Sequence, residues 1–355
     1  AHLTYDIDTG ETRTVRYWRF TIEPDEAMGE RPEAALAEEL RALLFQAVRR
    51  RQMSDVPLGV FLSGGIDSSA VLAGMMAGGQ PEAVRSFTIG FNEPSFDESD
   101  HAAAVARAFG AQHAMERVEL QAARDLIHGL LARIGEPIGD ASILPTWLLA
   151  RFTRQSVTVA LSGDGGDELF AGYDPFKALS PARLYQKLVP RGLHRGLQRL
   201  VDLLPNSTRN MSLDFRLRRA LLGLSYRPCL WNPVWLSPVD PRFMQELWAE
   251  PLRAEELYEE AIDCWQSAAH LDILDRSLEF YTNFYLPDDI LFKVDRATML
   301  NSLESRAVFL DNDLVEFCRR LPGRFKYRNG ERKYLLKRAL RGIVPAVALA
   351  RPKKG

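Results

Sequence analysis

Alternating apolar and polar residues at 3–7 and 14–20 flank Asp8-Thr9-Gly10, a pattern that predicts a β-hairpin. A lone hairpin is marginal in water, so it is expected to belong to a sheet completed elsewhere. Residues 21–32, with two prolines, a glycine and several acids, read as a linker. From Ala34 to Arg51, Leu36, Leu40, Leu43, Leu44, Ala47 and Val48 recur at helical spacing while Glu38, Glu39, Arg41, Arg49 and Arg50 take the other face. That spacing predicts an amphipathic helix packed on a sheet. Val56–Leu62 is a short apolar run, followed by a Gly/Ser-rich turn and the small-residue helix start Ala70–Met76. Val84–Phe91 and Val157–Leu161 read as further strands, the latter ending in a second glycine-rich loop, and 97–109 and 122–134 read as helices. Strands alternating with helices predict a parallel sheet with ligands at the strands' carboxyl ends.

The pattern then changes. Residues 181–269 mix Leu, Arg, Trp and Pro without strand alternation, and 271–285, 313–320 and 332–341 carry helical periodicity. The expected fold is α/β, a parallel sheet flanked by helices with a mainly helical carboxy-terminal half. Its expected divisions are a hairpin at 1–20, a linker at 21–32 and a domain at 33–355, with the α/β core at 33–175 and the helical part at 176–355.

Composition narrows the classes. The 355 residues are 46% hydrophobic and 26% charged, with 45 basic against 47 acidic side chains. This is a globular profile long enough to bury a core. The near-neutral balance gives no general affinity for nucleic acid or membrane, and neither is expected as a partner. Cys229, Cys264 and Cys318 are few and widely spaced, which fits a reducing cytosol rather than a disulfide framework. No His or Cys pairing has zinc-site spacing. No apolar run of about 18 residues and no leader pattern is present, so a cytoplasmic location is expected. Opening on Ala1 and stopping at Arg351-Pro352-Lys353-Lys354-Gly355, the sequence reads as a piece of a longer protein.

Two loops carry candidate chemistry. The first, Leu62-Ser63-Gly64-Gly65-Ile66-Asp67-Ser68-Ser69, joins a strand to a helix. Its glycines let backbone approach an anion, its hydroxyls donate, and the helix N-terminus adds unpaired N–H groups, making a phosphate cradle. Gly59 and Gly64 have Walker A spacing, but Gly65 stands where that motif needs Lys. A nucleophile elbow needs Gly where Phe61 stands. The second loop runs from Leu161 through Ser162, Gly163, Asp164, Gly165, Gly166, Asp167 and Glu168 to Tyr173. Its three acids within five positions would repel one another unless a cation or an acid/base task holds them together.

The first loop resembles the signature of the ATP pyrophosphatases, enzymes that cleave ATP between the α and β phosphates. Adding the second loop, Ser86–Gly90, Phe96–Ser99, Lys293–Met299, Leu303–Asp311 and Arg332–Lys337, the stretch from about Glu33 to Gly355 resembles the synthetase domain of the glutamine-dependent asparagine synthetase family. Residues 1–20 resemble the closing hairpin of that family's preceding glutaminase domain. The family's fold is that of the adenine nucleotide alpha hydrolases.

The resemblance implies ATP as substrate with Mg²⁺, an aspartate or similar carboxylate as acceptor, and ammonia from a glutaminase domain supplied in cis or in trans. No Cys lies where the family's amino-terminal nucleophile would be. Aspartate would attack the α-phosphorus to give β-aspartyl-AMP and pyrophosphate, and ammonia would displace AMP. Leu62, Ile89, Ser162 and Gly163 would contact the adenosine. Ser63, Gly64, Gly65, Asp67, Ser68 and Ser69 would hold the phosphates, with Asp67 and Asp167 carrying Mg²⁺. Asp164 stands where the family commonly has Glu and would accept the ammonia proton. Lys353, with Lys354 as the neighbouring alternative, would stabilise charge on the reacting centre. Arg306 would face the substrate or pair with Glu304 or Asp311. The segment Glu136–Ser142 departs from the Arg-containing segment of some asparagine synthetases. A different carboxylate acceptor and a non-catalytic nucleotide-sensing role stay open, and composition is silent on assembly, a homodimer included.

Overall fold

A computed structural model describes residues 1–78, 84–207, 210–251 and 253–350. The amino-terminal alternation forms an antiparallel hairpin of β1 (His2–Tyr5) and β2 (Thr12–Val15), its turn closed by the Asp6 carboxylate accepting from the N–H groups of Asp8 and Thr9. Residues 21–32 lie against the domain. Ile22 and Met28 are buried, and the N–H groups of Glu23 and Asp25 donate to the carbonyls of Arg319 and Arg320.

Five parallel strands make the central sheet: β3 (Leu58–Phe61), β4 (Arg85–Phe91), β5 (Gln112–Val118), β6 (Val159–Ser162) and β7 (Glu304–Ala307). Their spatial order is β5-β4-β3-β6-β7. The chain therefore moves outward from β3 to β5 and then returns to the other side of β3. The crevice between β3 and β6 is the point where strand order reverses, the place where open α/β sheets bind ligands. A carboxy-terminal hairpin, β8 (Tyr327–Arg328) with β9 (Glu331–Arg332), stands apart from this sheet.

Alternate strand residues feed separate cores. Val60 and Leu161 join the helices Glu33–Gln52, Ile66–Met76 and Tyr334–Leu340, whereas Phe87 and Ala160 face the helix Ile143–Arg154. A large helical region follows β6, and a continuous helical rod runs through Ile273–Phe280, Tyr281–Leu291 and Phe292–Met299. The middle stretch of that rod is π-helical and contains Pro287. Such stretches cluster at functional sites because the wider turn re-aims its side chains. β5, β7 and the helix Ile143–Arg154 add elements beyond those predicted, and the α/β architecture with a mainly helical second half is as expected.

Candidate active site

Both glycine-rich loops emerge at the β3/β6 crevice. After β3, Leu62 is held by its N–H to the Phe87 carbonyl, and its own carbonyl accepts from the Thr88 hydroxyl. Ser63 and Ser68 lock the turn. The Ser63 N–H donates to Ser68 Oγ at 3.2 Å, the two hydroxyls lie 3.1 Å apart, and the Gly65 N–H donates to Ser63 Oγ at 3.3 Å. Gly64 is backed against the His101–Ala102 backbone, and Gly65 caps the helix Ile66–Met76. Asp67 sits in that helix's first turn, and Ser69 is fully buried beneath it.

After β6, Gly163 and Gly166 let the second loop press onto the first helix. A Cβ at Gly166 would lie 2.7 Å from the Asp67 carboxyl carbon, and one at Gly172 would collide with Asp167 and with Lys333. The loops therefore interlock only because those side chains are missing, and Asp67 and Asp167 converge on a single cation. The Lys333 ammonium contacts Asp67 Oδ2 and lies 2.6 Å from Asp167 Oδ1. Lys333 is buried, donates its N–H to the Phe170 carbonyl, and adopts the left-handed region at φ 55° as it caps the helix Tyr334–Leu340. A non-glycine residue there costs about 1 kcal/mol. Burial opposes the charge on Lys333, but the Asp167 and Asp67 carboxylates outweigh it and raise its pKa.

The cavity over these loops has a volume of about 570 Å³. Leu62, Ser63, Asp67, Ser68, Ile89, Ser162, Gly163, Asp164 and Asp167 all border it, so most of the residues picked out from the two loops meet around one space. Gly64, Gly65 and Ser69 support it from behind. Lys353 and Lys354 lie outside the described residues. Arg306 faces elsewhere, pairing with Glu304 at 2.6 Å and donating to the carbonyls of Arg51 and Met53, while Asp311 pairs with Arg50 and Arg51.

Several cavity residues escaped the sequence reading. Lys333 was legible only as a member of the Arg332–Lys337 motif. Lys293 donates to Asp140 at 2.6 Å and to Ser142 at 2.8 Å, tying the Glu136–Ser142 segment to the end of the helical rod. Burial works against the Asp140 charge, yet the Lys293 ammonium keeps its pKa below the ordinary value. Tyr285, from the π-helical stretch, and Tyr173, whose hydroxyl donates to Glu168, complete the wall. Tyr173 stacks on Tyr281 at 5.1 Å, and burial raises its pKa well above the usual phenol range.

The charge balance of this space restricts what enters it. Among the described residues Asp67, Glu98, Asp140, Asp164, Asp167 and Glu168 line it with one ammonium, that of Lys293, and Lys333 lies beneath. A triphosphate would be repelled here unless cations accompanied it. Among the described residues no group of three or more His, Cys, Asp or Glu side chains could by itself hold a metal ion. The paired carboxylates of Asp67 and Asp167 nevertheless fit Mg²⁺, which favours one or two carboxylates with substrate phosphates and water completing its shell. No helix among the described residues is long and apolar enough to cross a membrane.

Comparison with known proteins places these features. Residues 39–355 match the family model described as asparagine synthase. A Mycobacterium bovis protein whose name carries asparagine synthetase (glutamine-hydrolyzing) is 35% identical over 327 residues, covering 91% of this chain and 48% of its own length. Asparagine synthetase (glutamine-hydrolyzing) 1 of Bacillus subtilis is 30% identical over 326 residues, covering 91% and 50%. This chain thus spans about half the length of the curated relatives it matches. A solved glutamine-dependent NAD⁺ synthetase from Acinetobacter baumannii, bound to ADP, aligns with 99% of this chain and 52% of its own at 19% identity and a TM-score of 0.29, too low to carry an argument. The family match spans nearly the whole chain and takes in both loops and the Arg332–Lys337 motif: the chain belongs to the asparagine synthase family of ligases.

Proposed function

We propose that this chain is the synthetase part of an ATP-dependent amide ligase that converts aspartate to asparagine, releasing AMP and pyrophosphate and using ammonia from a glutaminase domain. The observation that carries the reading is the meeting of Asp67 and Asp167, from loops after adjacent strands, on Lys333 beneath a cavity that also presents Asp164. The acceptor carboxylate attacks the α-phosphorus, the bond to the bridging oxygen of the β-phosphate breaks, and pyrophosphate leaves. Ser63, Ser68 and the N–H groups at the start of the helix Ile66–Met76 hold the departing phosphates, while Lys333 fixes the two carboxylates. Mg²⁺ on Asp67 and Asp167 would offset the charge that grows on the leaving group. Ammonia then attacks the acyl carbon, AMP departs, and Asp164 takes the proton released from nitrogen. Lys353 is proposed to stabilise charge on the reacting phosphoryl and acyl centres.

A different carboxylate acceptor is the second reading. It is favoured by the segment Glu136–Ser142, which brings Asp140 and Ser142 to Lys293 at the cavity wall. With ATP, Mg²⁺ and ammonium, the protein is expected to release pyrophosphate and AMP in the presence of aspartate and to form asparagine. Pyrophosphate release with another carboxylate but not aspartate would establish the second reading, and ADP formation would overturn both. Asp164→Asn is expected to slow amide formation on the order of 10²-fold, measured as asparagine produced, while ATP–pyrophosphate exchange persists.

A further inference from the structure

A second large cavity, about 1260 Å³, opens in the helical region and shares no lining residue with the nucleotide cavity. Six arginines border it. Arg191, Arg195 and Arg199 stand at successive i, i+4 positions on the helix Arg191–Asp202, Arg218 and Arg219 come from the helix Leu213–Leu224, and Arg227 follows that helix. We propose that this cleft is an anion site that takes a small ligand carrying several phosphate groups.

Three features point there. First, the cations outnumber the acids. Asp202, Asp214 and Asp240 are the carboxylates on the lining, of which Asp214 accepts from the Ser207 N–H and Asp240 faces Arg219. Second, the arginines differ in commitment. Arg218 donates to the Leu204 carbonyl and Asn206, Arg219 lies over the Phe215 ring at 5.5 Å, and Arg227 pairs with Glu255 at 3.3 Å. Arg191, Arg195 and Arg199 form no ion pair among the described residues. Like charges spaced four apart repel along a helix, and Arg191 adds its charge at the positive end of the helix dipole. The helix thus carries an electrostatic cost that a bound polyanion would relieve. Third, the wall is braced. His194, buried on the inner side of the same helix, is 3.0 Å from the Tyr185 hydroxyl through Nδ1 and 3.0 Å from Ser225 Oγ through Nε2, tying three helical segments together. The spacing of the two arginine walls is therefore set before a ligand arrives, which lowers the cost of binding.

Guanidinium forks suit phosphate oxygens, two parallel hydrogen bonds at a time. The probe is inorganic tripolyphosphate, titrated calorimetrically into the full chain. With Mg²⁺ in excess to accompany the anion at the acidic strand-end loops, two binding events are expected, one at those loops and one at the arginine cleft. Arg195→Glu with Arg199→Glu should remove one event or weaken it about tenfold. Raising the salt from about 0.1 to about 1 M, which cuts the Debye length from about 10 to about 3 Å, should weaken it as well. Arg107→Glu with Arg124→Glu, on helices elsewhere, should leave both events in place. Should the charge reversal lower the melting temperature, Arg195→Gln with Arg199→Gln serves in its place. One binding event in the wild type, or two events unchanged by the cleft substitutions, overturns the proposal.

Discussion

The cavity at the strand ends and the cleft among the helices both gather many charges, yet the two treat them oppositely. At the strand ends buried lysines are committed to half-buried acids: Lys333 joins Asp67 to Asp167, and Lys293 joins Asp140 to Ser142. In the cleft three arginines of one helix are exposed and form no ion pair among the described residues. A buried pair is expensive to break because the surviving charge stays out of water, whereas an exposed charge is cheap to change. Function in the first region is therefore inseparable from folding, and in the second it is not.

The sharpest test of that contrast is Lys333→Met. It leaves two half-buried carboxylates facing each other without their shared cation, and pyrophosphate release should fall on the order of 10³-fold. Stability should drop by about 3–5 kcal/mol in urea unfolding. A Lys333→Met protein with wild-type stability would erase the distinction between the regions. Next in size, Gly172→Ala drives a methyl group into Asp167 and Lys333 and should cost about 1–3 kcal/mol, read by the same unfolding assay.

The smallest expected effect belongs to the helical region and depends on pH. Burial lowers the His194 pKa, so the folded protein binds fewer protons there than the unfolded chain. Its contribution is then fully present above the ordinary histidine value of 6.5 and is lost as pH falls from there through the lower folded value. The melting temperature should decline more between pH 7 and pH 5 in the wild type than in His194→Gln. Equal declines would remove His194 as the source.

The buried strands and both loops were legible because their signals are local: a short apolar run, then glycines with hydroxyls or acids. β5 and β7 were not, because they form the two sheet edges. Gln112–Val118 mixes His113, Glu116 and Arg117 into its alternation, and Glu304–Ala307 is four residues long and mostly polar. Edge strands need less apolar surface and so carry a weaker pattern. Lys333 illustrates a different limit. Its partner Asp67 lies 266 residues away, and no periodicity links them. Only the motif Arg332–Lys337 marked the place, and it left the lysine's partners unstated. Asp140 and Lys293, 153 residues apart, lay in segments marked separately, Glu136–Ser142 and Lys293–Met299, and their pairing was hidden for the same reason.

The π-helical stretch Tyr281–Leu291 has two sides with different neighbours. Tyr285 and Ile290 border the strand-end cavity, while the Asn283 amide donates to the Phe20 carbonyl and, one turn earlier, Glu279 accepts the Ile22 N–H at 2.7 Å. The backbone leading out of the amino-terminal hairpin is thus clamped to the same helical rod that walls the cavity. Pulling that segment away would strip the buried Glu279 carboxylate of its Ile22 donor and leave the Asn283 amide with the Glu279 carbonyl alone. In mechanical terms the rod is a shared beam: a load applied at residues 20–22 is borne by the wall of the strand-end cavity.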